Sequence, residues 1–270
     1  MVVRVASIYR TALLALTLTA PCAAQAAKDV TVDVELVLAV DISRSMDAGE
    51  LRLQRDGYVA AFRDPQVIAA IESGSYGRIA VTYVEWGGAD EQRIVIPWQV
   101  IDGRARAESV AARLAAWQGP GMHDTSISSA LLFADLLFRN NGFVGAHQII
   151  DISGDGANNW GPPVTSARDT VLRDGITING LPITLHPGGP GGMDPGLLAI
   201  YYEDCVTGGP DSFVLSVSAP ALLAATITRK MLQEISQSGP RLDRAAATSR
   251  VPRIDCEIDH RVPNMITTPE

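Results

Sequence analysis

The sequence predicts an α/β fold: a doubly wound, mainly parallel sheet with one antiparallel edge strand and helices on both faces. Three observations carry this expectation. From Val30 onward, short β-branched runs alternate with longer stretches whose apolar residues recur every three or four positions, as strand and helix do in succession. The run Val32 to Val40 (VDVELVLAV) becomes nearly continuous in apolar character, as a central strand covered on both faces should. Later, Gly87-Gly88-Ala89-Asp90 separates two β-forming runs with hairpin turn chemistry and supplies the antiparallel edge.

Taken in order, the first strand ends at Asp41, and Asp47-Ala48-Gly49-Glu50 reads as a capping box that opens a helix reaching about Phe62. Asp64-Pro65 interrupts that helix, and Gln66 to Ile71 adds a turn or two. Arg78 to Val84 and Gln92 to Trp98 are the hairpin strands; Ala105 to Trp117 and Ser126 to Phe138 are amphipathic helices. Gln148 to Ser153 is a buried strand ending in Gly154-Asp155-Gly156, followed by a helix from Pro163 to Asp174 and a strand from Thr177 to Ile183. Pro187 to Gly196 has the Gly and Pro density of a surface loop. Phe213 to Val217 is the last strand expected, and Pro220 to Ser236 the last long helix. One domain over residues 27–238 is expected, and residues 239–270 read as an extended tail, polar and with prolines at 240, 252, 263 and 269.

The first 26 residues stand apart. Arg4 and Arg10 precede an apolar run from Ala12 to Ala20, and a small-residue tract ends at Ala24-Gln25-Ala26, the pattern of a secretory signal peptide cut after Ala26. The run is shorter than the roughly 20 residues a membrane-spanning helix needs. A lipid anchor on Cys22 is the weaker reading, because Pro21 stands where that signal wants a small residue. The expectation is export to the periplasm or beyond, with no transmembrane segment in the mature chain. Loss of Arg4 and Arg10 would move the net charge from -8 to -10, and an acidic chain whose two lysines are Lys28 and Lys230 is a poor ligand for nucleic acid. Two cysteines, Cys205 and Cys256, would remain in an oxidising compartment; their even count favours a bond, with two buried thiols as the alternative.

The residues that carry chemistry begin with Asp41-Ile42-Ser43-Arg44-Ser45, where a central strand gives way to a loop and a helix. Ligands collect at the carboxyl ends of strands in open α/β sheets. There an aspartate and two hydroxyls at alternate positions can present oxygen atoms alone, the donors that Mg²⁺ and Ca²⁺ prefer. Four histidines, His123, His147, His186 and His260, lie far apart and show no zinc-ligand spacing.

Asp-x-Ser-x-Ser after an apolar strand resembles the first element of the metal-ion-dependent adhesion site of von Willebrand factor A domains. The other two elements follow in order: Thr125 in Asp124-Thr125-Ser126 before a helix, and Asp155 in Ile152-Ser153-Gly154-Asp155-Gly156 at a strand end. The resemblance implies that Ser43, Ser45 and Thr125 bind a divalent cation directly, Mg²⁺ first and Mn²⁺ or Ca²⁺ as alternatives. It implies that Asp41 and Asp155 act through bound water, and that a protein partner's Asp or Glu completes the shell. At the second element the family commonly has glycines before the threonine, where this chain has His123-Asp124. The segment Tyr201 to Pro210 (YYEDCVTGGP), with the helix containing Arg229 to Ile235, is similar to an uncharacterised group of exported bacterial proteins within the superfamily.

The function expected is therefore an exported, metal-dependent, adhesion-type binding module. A docking or regulatory subunit of an envelope enzyme or export assembly, or a scaffold without metal, is the alternative. An enzyme is not expected. Haloacid dehalogenase-type phosphatases need a second aspartate two residues after the first and a basic residue, usually lysine, between the motifs, but this chain has Ser43 there and no lysine between Lys28 and Lys230. Taken singly, Asp41, Ser43 and Ser45 could merely cap a helix entry, and Asp155-Gly156 could be a simple turn. His123 and Asp124 read as solvated loop residues, and Trp160 as a loop residue that could line a binding face.

Overall fold

A computed structural model describes residues 29–185, 193–236 and 252–258. Five strands form one sheet in the order β3-β2-β1-β4-β5, with β1 Val30–Asp41, β2 Ile79–Trp86, β3 Gln92–Ile101, β4 Phe143–Gly154 and β5 Thr177–Pro182. β1 lies at the centre, parallel to β2 on one side and β4 on the other, while β3 is the antiparallel edge. The helices are α1 Ala48–Arg63, α2 Pro65–Glu72, α3 Arg104–Ala116, α4 Ile127–Leu137, α5 Val164–Arg173, α6 Pro195–Tyr201 and α7 Pro220–Ser236.

Strand alternation divides β1 between two cores. Val34, Leu36, Leu38 and Val40 face one layer, made by Tyr58 and Phe62 of α1, Val67 and Ile71 of α2, Leu114 of α3 and Leu223, Ile227 and Met231 of α7. Val37 and Ala39 face the other, made by Ile127 and Leu131 of α4, Val171 of α5, Leu198 of α6 and the segment after it. A strand that feeds both faces must be apolar at consecutive positions, which is why Leu36 to Val40 lacks the polar alternation of a one-sided sheet. Gly57 sets the closeness of α1 and α7, since a Cβ there would stand 2.5 Å from Ile227 Cδ1.

Two carboxylates fasten the far end of the sheet. Buried Glu35 accepts hydrogen bonds from Asn141 Nδ2 at 2.6 Å and Gly145 N at 2.7 Å, and Asp33 accepts from Tyr76 N at 3.0 Å. Asp33 thus holds the turn before β2, and Glu35 the turn before β4 through Asn141.

The Asp47–Glu50 capping box forms as the sequence predicts, and Asp64 caps α2 with Pro65 at its first position. Three segments differ from expectation. Phe213 to Val217 does not form a regular strand. It runs beside β5 through isolated bridges at Val214 and Val217, because Pro182 offers its carbonyl to Val217 N but has no N–H to return. Within the stretch read as a loop, Asp194 caps α6, with Pro195 at its first position and Asp194 Oδ1 accepting from Gly196 N at 2.8 Å. α6 runs directly into a single π-helical turn, Tyr202–Val206. β4 also begins five residues earlier than expected, at Phe143, because pairing with β1 begins at Val30 opposite Phe143. Residues 187–192 of the expected loop, the leader segment 1–26 and most of the tail lie outside the described residues. No described helix is long and apolar enough to cross a membrane.

Residues 252–258 return to the domain through a disulfide between Cys205 and Cys256, which closes a loop of 51 residues. Arg253 reinforces it with ion pairs to Glu203 at 2.5 Å and Asp204 at 2.8 Å. The chain-entropy model gives a loop of that length about 4 kcal/mol. Replacing both cysteines by serine is expected to lower the unfolding free energy by about 2–4 kcal/mol in urea titrations.

Beneath α7 lies a buried ionic triad. Lys230 Nζ stands 2.5 Å from Glu234 Oε1 and 2.7 Å from Asp151 Oδ1, and Asn179 Nδ2 donates to Glu234 at 3.1 Å. All three charged side chains are at most 2% exposed. One cation faces two carboxylates, so burial, and then the charge of Asp151, push Glu234 up to about 7. A carboxyl held above its ordinary value binds its proton more tightly in the folded protein. Its contribution is fully present below about pH 4.5, fades as pH rises, and is lost above about pH 7. Glu234→Gln is expected to flatten the fall in stability between pH 5 and 8. Lys230→Met, which strands both acids, is expected to cost about 3–5 kcal/mol at pH 7. Denaturant unfolding across pH reads both effects.

Candidate metal centre

The register of the central strands assembles the site. Val40 pairs with Ser153 across β1 and β4, so Asp41 and the Gly154-Asp155 exit emerge side by side at the carboxyl edge of the sheet. The chain then turns on its own side chain, with Ser43 N donating to Asp41 Oδ1 at 2.7 Å. Met46 is buried and closes the turn by donating to Ser43 O at 3.1 Å, after which the capped α1 begins. The loop thus leaves Ser43 buried and Ser45 exposed, two positions apart on one side.

A hydrogen-bonded chain joins four of the five expected residues. Asp41 holds Ser43, Ser43 Oγ lies 3.0 Å from Ser45 Oγ, and Ser45 Oγ donates to Asp155 Oδ1 at 2.6 Å. Thr125 reaches the same edge through its loop. Met122 N donates to Ile42 O at 3.0 Å, Ser126 N to Gly87 O at 2.8 Å, and Thr125 exchanges bonds with Asn159, N to Oδ1 at 3.0 Å and O from Asn159 N at 3.0 Å. The Thr125 loop is therefore anchored to the ends of β1 and β2 and to the loop that follows Asp155.

The electrostatics are those of a site short of positive charge. Burial, and then the charge of Asp155, push Asp41 up to about 8. Asp155 is also raised, first by burial, with the charge of Glu50 adding to it. The influences opposing these shifts are hydrogen bonds to serine and backbone, with no lysine or arginine among them. Asp41 Oδ2 is buried without a hydrogen-bond partner. Among the described residues no three His, Cys, Asp or Glu side chains gather as ligands. The donor set is instead two carboxylates and neighbouring hydroxyls, all hard oxygens, which suits a divalent cation of the Mg²⁺ type.

Asp124 resolves the departure at the second element. It is exposed and takes φ +30°, so it occupies the left-handed region that a glycine would fill. His123 is also exposed, with Nδ1 3.0 Å from Glu91 Oε1, which places it in the loop's own support and away from a ligand role. Trp160 is 54% exposed, and its carbonyl accepts from Ser126 Oγ at 2.8 Å, which ties its backbone to the end of the Thr125 loop.

Four supporting residues escape sequence reasoning. Gln54 reaches back from α1 to donate to Asp41 O at 2.9 Å. Asn158 and Asn159 tie the Asp155 loop to α4 and to Thr125, through Ser128 N at 2.9 Å and Thr125 N at 3.0 Å. Their only signal is two asparagines just after a strand-end Asp-Gly. Tyr202 is fully buried in the π-helical turn; burial, then the charges of Asp41 and Asp155, raise its phenol well above the usual value.

Sheet order, helices on both faces and the loop cluster at the carboxyl edge define a von Willebrand factor A-like fold. The chain belongs to the family described as "Protein of unknown function (DUF1194)", which matches residues 31–239. Among solved structures it is similar to pilus adhesin SpaC from Lactobacillus rhamnosus GG, with TM-score 0.54 and 12% identity over 79% of this chain and 31% of that one. It is also similar to proximal thread matrix protein 1 of the mussel byssus with a zinc-occupied adhesion-site motif, with TM-score 0.51 and 12% identity over 76% of this chain and 47% of that one. BatB from Bacteroides thetaiotaomicron is similar over 76% of this chain and 98% of its own, at 17% identity and TM-score 0.51. The chain spans less than half of the mussel and pilus proteins. No curated protein sequence matches it.

Asp124→Gly is expected to keep stability within about 1 kcal/mol of the parent, because glycine takes positive φ without strain. Asp124→Val, β-branched at the same φ, is expected to cost about 1–2 kcal/mol. Equal unfolding midpoints for the two variants would contradict the assignment.

Proposed function

We propose that this chain is an exported, non-enzymatic binding module that holds a carboxylate of a protein partner through a divalent cation. The observation that carries the reading is the Asp41–Ser43–Ser45–Asp155 chain, in which two carboxylates with raised proton affinity meet without a cationic side chain. The hydroxyls of Ser43, Ser45 and Thr125 would hold the ion, and Asp41 and Asp155 would balance its charge through bound water. Once bound, the ion supplies an electrophilic centre that attracts an anionic oxygen, here from a partner's Asp or Glu.

The protein's own residues do the rest. Neutral hydroxyls as direct donors leave the ion unquenched, whereas two direct carboxylates would weaken its pull on a partner. Gln54 and the Ser43 amide fix Asp41 from two sides, and Asn159 fixes Thr125, so little reorganisation accompanies loading. Exposed Trp160 offers an apolar contact beside the site. Mg²⁺ is the first candidate, with Mn²⁺ and Ca²⁺ as alternatives. A pilus adhesin and a zinc-holding byssus protein among the structural relatives support a binding role, although likeness at that identity speaks to the fold.

Calorimetric titration of metal-stripped protein with Mg²⁺, Mn²⁺ and Ca²⁺ tests the reading. One saturable site is expected, with affinity reduced at least about tenfold in Ser43→Ala/Ser45→Ala. At a hundredfold excess over Kd the ion should stabilise the fold by about 2.7 kcal/mol. Absence of saturable binding to the wild type by all three ions would sink the proposal.

A further inference from the structure

Several buried polar atoms near the site have no partner within the protein, Trp86 Nε1 and Ser153 Oγ among them, and two oxygens of that group lie against one glycine. Asp41 Oδ2 and Tyr202 Oη are both buried, and neither makes a hydrogen bond within the protein. They converge on one spot: a methyl group on Gly154 would stand 2.8 Å from Asp41 Oδ2 and 2.7 Å from Tyr202 Oη. Gly154 keeps that spot clear of side chain, so the two oxygens lie no further apart than one water can bridge. A carboxylate oxygen accepts and a phenol donates, so the pair is complementary.

Tyr202 is held there by an unusual piece of backbone. It opens the π-helical turn Tyr202–Val206, in which Thr207 N and Oγ1 donate to Tyr202 O at 2.9 and 3.1 Å. Such turns interrupt regular helices and recur at functional sites. Glycine makes room for the ring a second time, since a Cβ on Gly180 would stand 2.7 Å from Tyr202 Cδ1. Three residues on, Cys205 is bonded to Cys256, and Arg168 Nη1 donates to Asp204 O at 2.8 Å, so the turn is pinned from two directions. A tyrosine kept for packing alone would need no hydroxyl at a place where none of its neighbours within the protein accepts it.

We propose that Tyr202 is a positioning residue for Asp41: its hydroxyl donates through one bridging water to Asp41 Oδ2, completing the hold that the Ser43 amide makes on Oδ1. The effect on metal affinity rests on the function proposed above, whereas the Tyr202–Asp41 link does not. Tyr202→Phe removes one oxygen and keeps the ring, which makes it the natural probe.

The experiment uses purified wild type, Tyr202→Phe, Asp41→Asn and the double variant. Unfolding in urea with EDTA gives a double-mutant cycle free of metal, and a coupling of about fivefold or more in the unfolding constant is expected. A cycle that closes without coupling overturns the link. Titration with Mn²⁺ should show affinity about tenfold weaker in Tyr202→Phe, the lower range for a residue that orients a ligand. Unchanged affinity beside a wild type that binds overturns the positioning role. A wild type that binds no Mn²⁺, together with a cycle that still shows coupling, removes the metal reading of the site and upholds the link.

Discussion

Parallel pairing of β1 with β4 is the constraint on which the candidate site depends. In a parallel ladder both chains leave the sheet at the same edge, and here the register sets Val40 opposite Ser153, so Asp41 and Asp155 leave together although 114 positions separate them. A slip of one residue would turn Val37 and Ala39 toward the wrong layer and rotate Asp41 away from Asp155. The apolar registry of both cores therefore guards the geometry of a polar site. The Thr125 loop reaches the same edge by a different route, through backbone bonds to Ile42 and Gly87 that follow from the parallel pairing of β1 and β2.

The fold treats buried acid in two ways. Beneath α7, Asp151 and Glu234 surround Lys230, and the protein supplies its own cation in an interior where an unpaired charge would be costly. At the strand ends, Asp41 and Asp155 meet with hydroxyls and amides for company, and no comparable cation is provided. The contrast lies within one sheet and one strand, since Asp151 and Asp155 are four positions apart on β4 and its exit. A chain able to place a lysine against one acid pair places none against the other, and that contrast is what supports the proposed cation site.

The mainly parallel sheet with a central first strand, the antiparallel edge and the capping box were legible because each rests on local pattern: two-sided apolar strands, a Gly-rich turn, an Asp three positions before a Glu. The residues of the candidate site stand out for the same reason, as short motifs at strand ends, and the fold brings Asp41, Ser43, Ser45 and Asp155 together. What sequence could not show is set by partners distant along the chain. Nothing in the helical spacing of Lys230 and Glu234 marks them as buried, and only the packing of α7 over Asp151 makes them internal. Phe213 to Val217 has strand composition, but its neighbour presents Pro182 and the ladder breaks. The start of α6 lay hidden at the end of a stretch judged by its Gly and Pro content, although Asp194-Pro195 is itself a helix start.

Tyr202 shows why the least local features fall beside the site. Its position needs a glycine on β4, a glycine on β5, a π-helical turn and a disulfide to a residue 51 positions further on, and none of these predicts the others from sequence spacing. The two glycines weaken their strands, because each gives up side-chain packing in a sheet interior. The π-helical turn gives up regular hydrogen bonding, and the disulfide restores rigidity where the helix is irregular. These concessions converge on a single phenol oxygen near Asp41. Random drift in packing would scatter such irregularities over the fold, whereas an arrangement that holds one carboxylate in place concentrates them, as it does here.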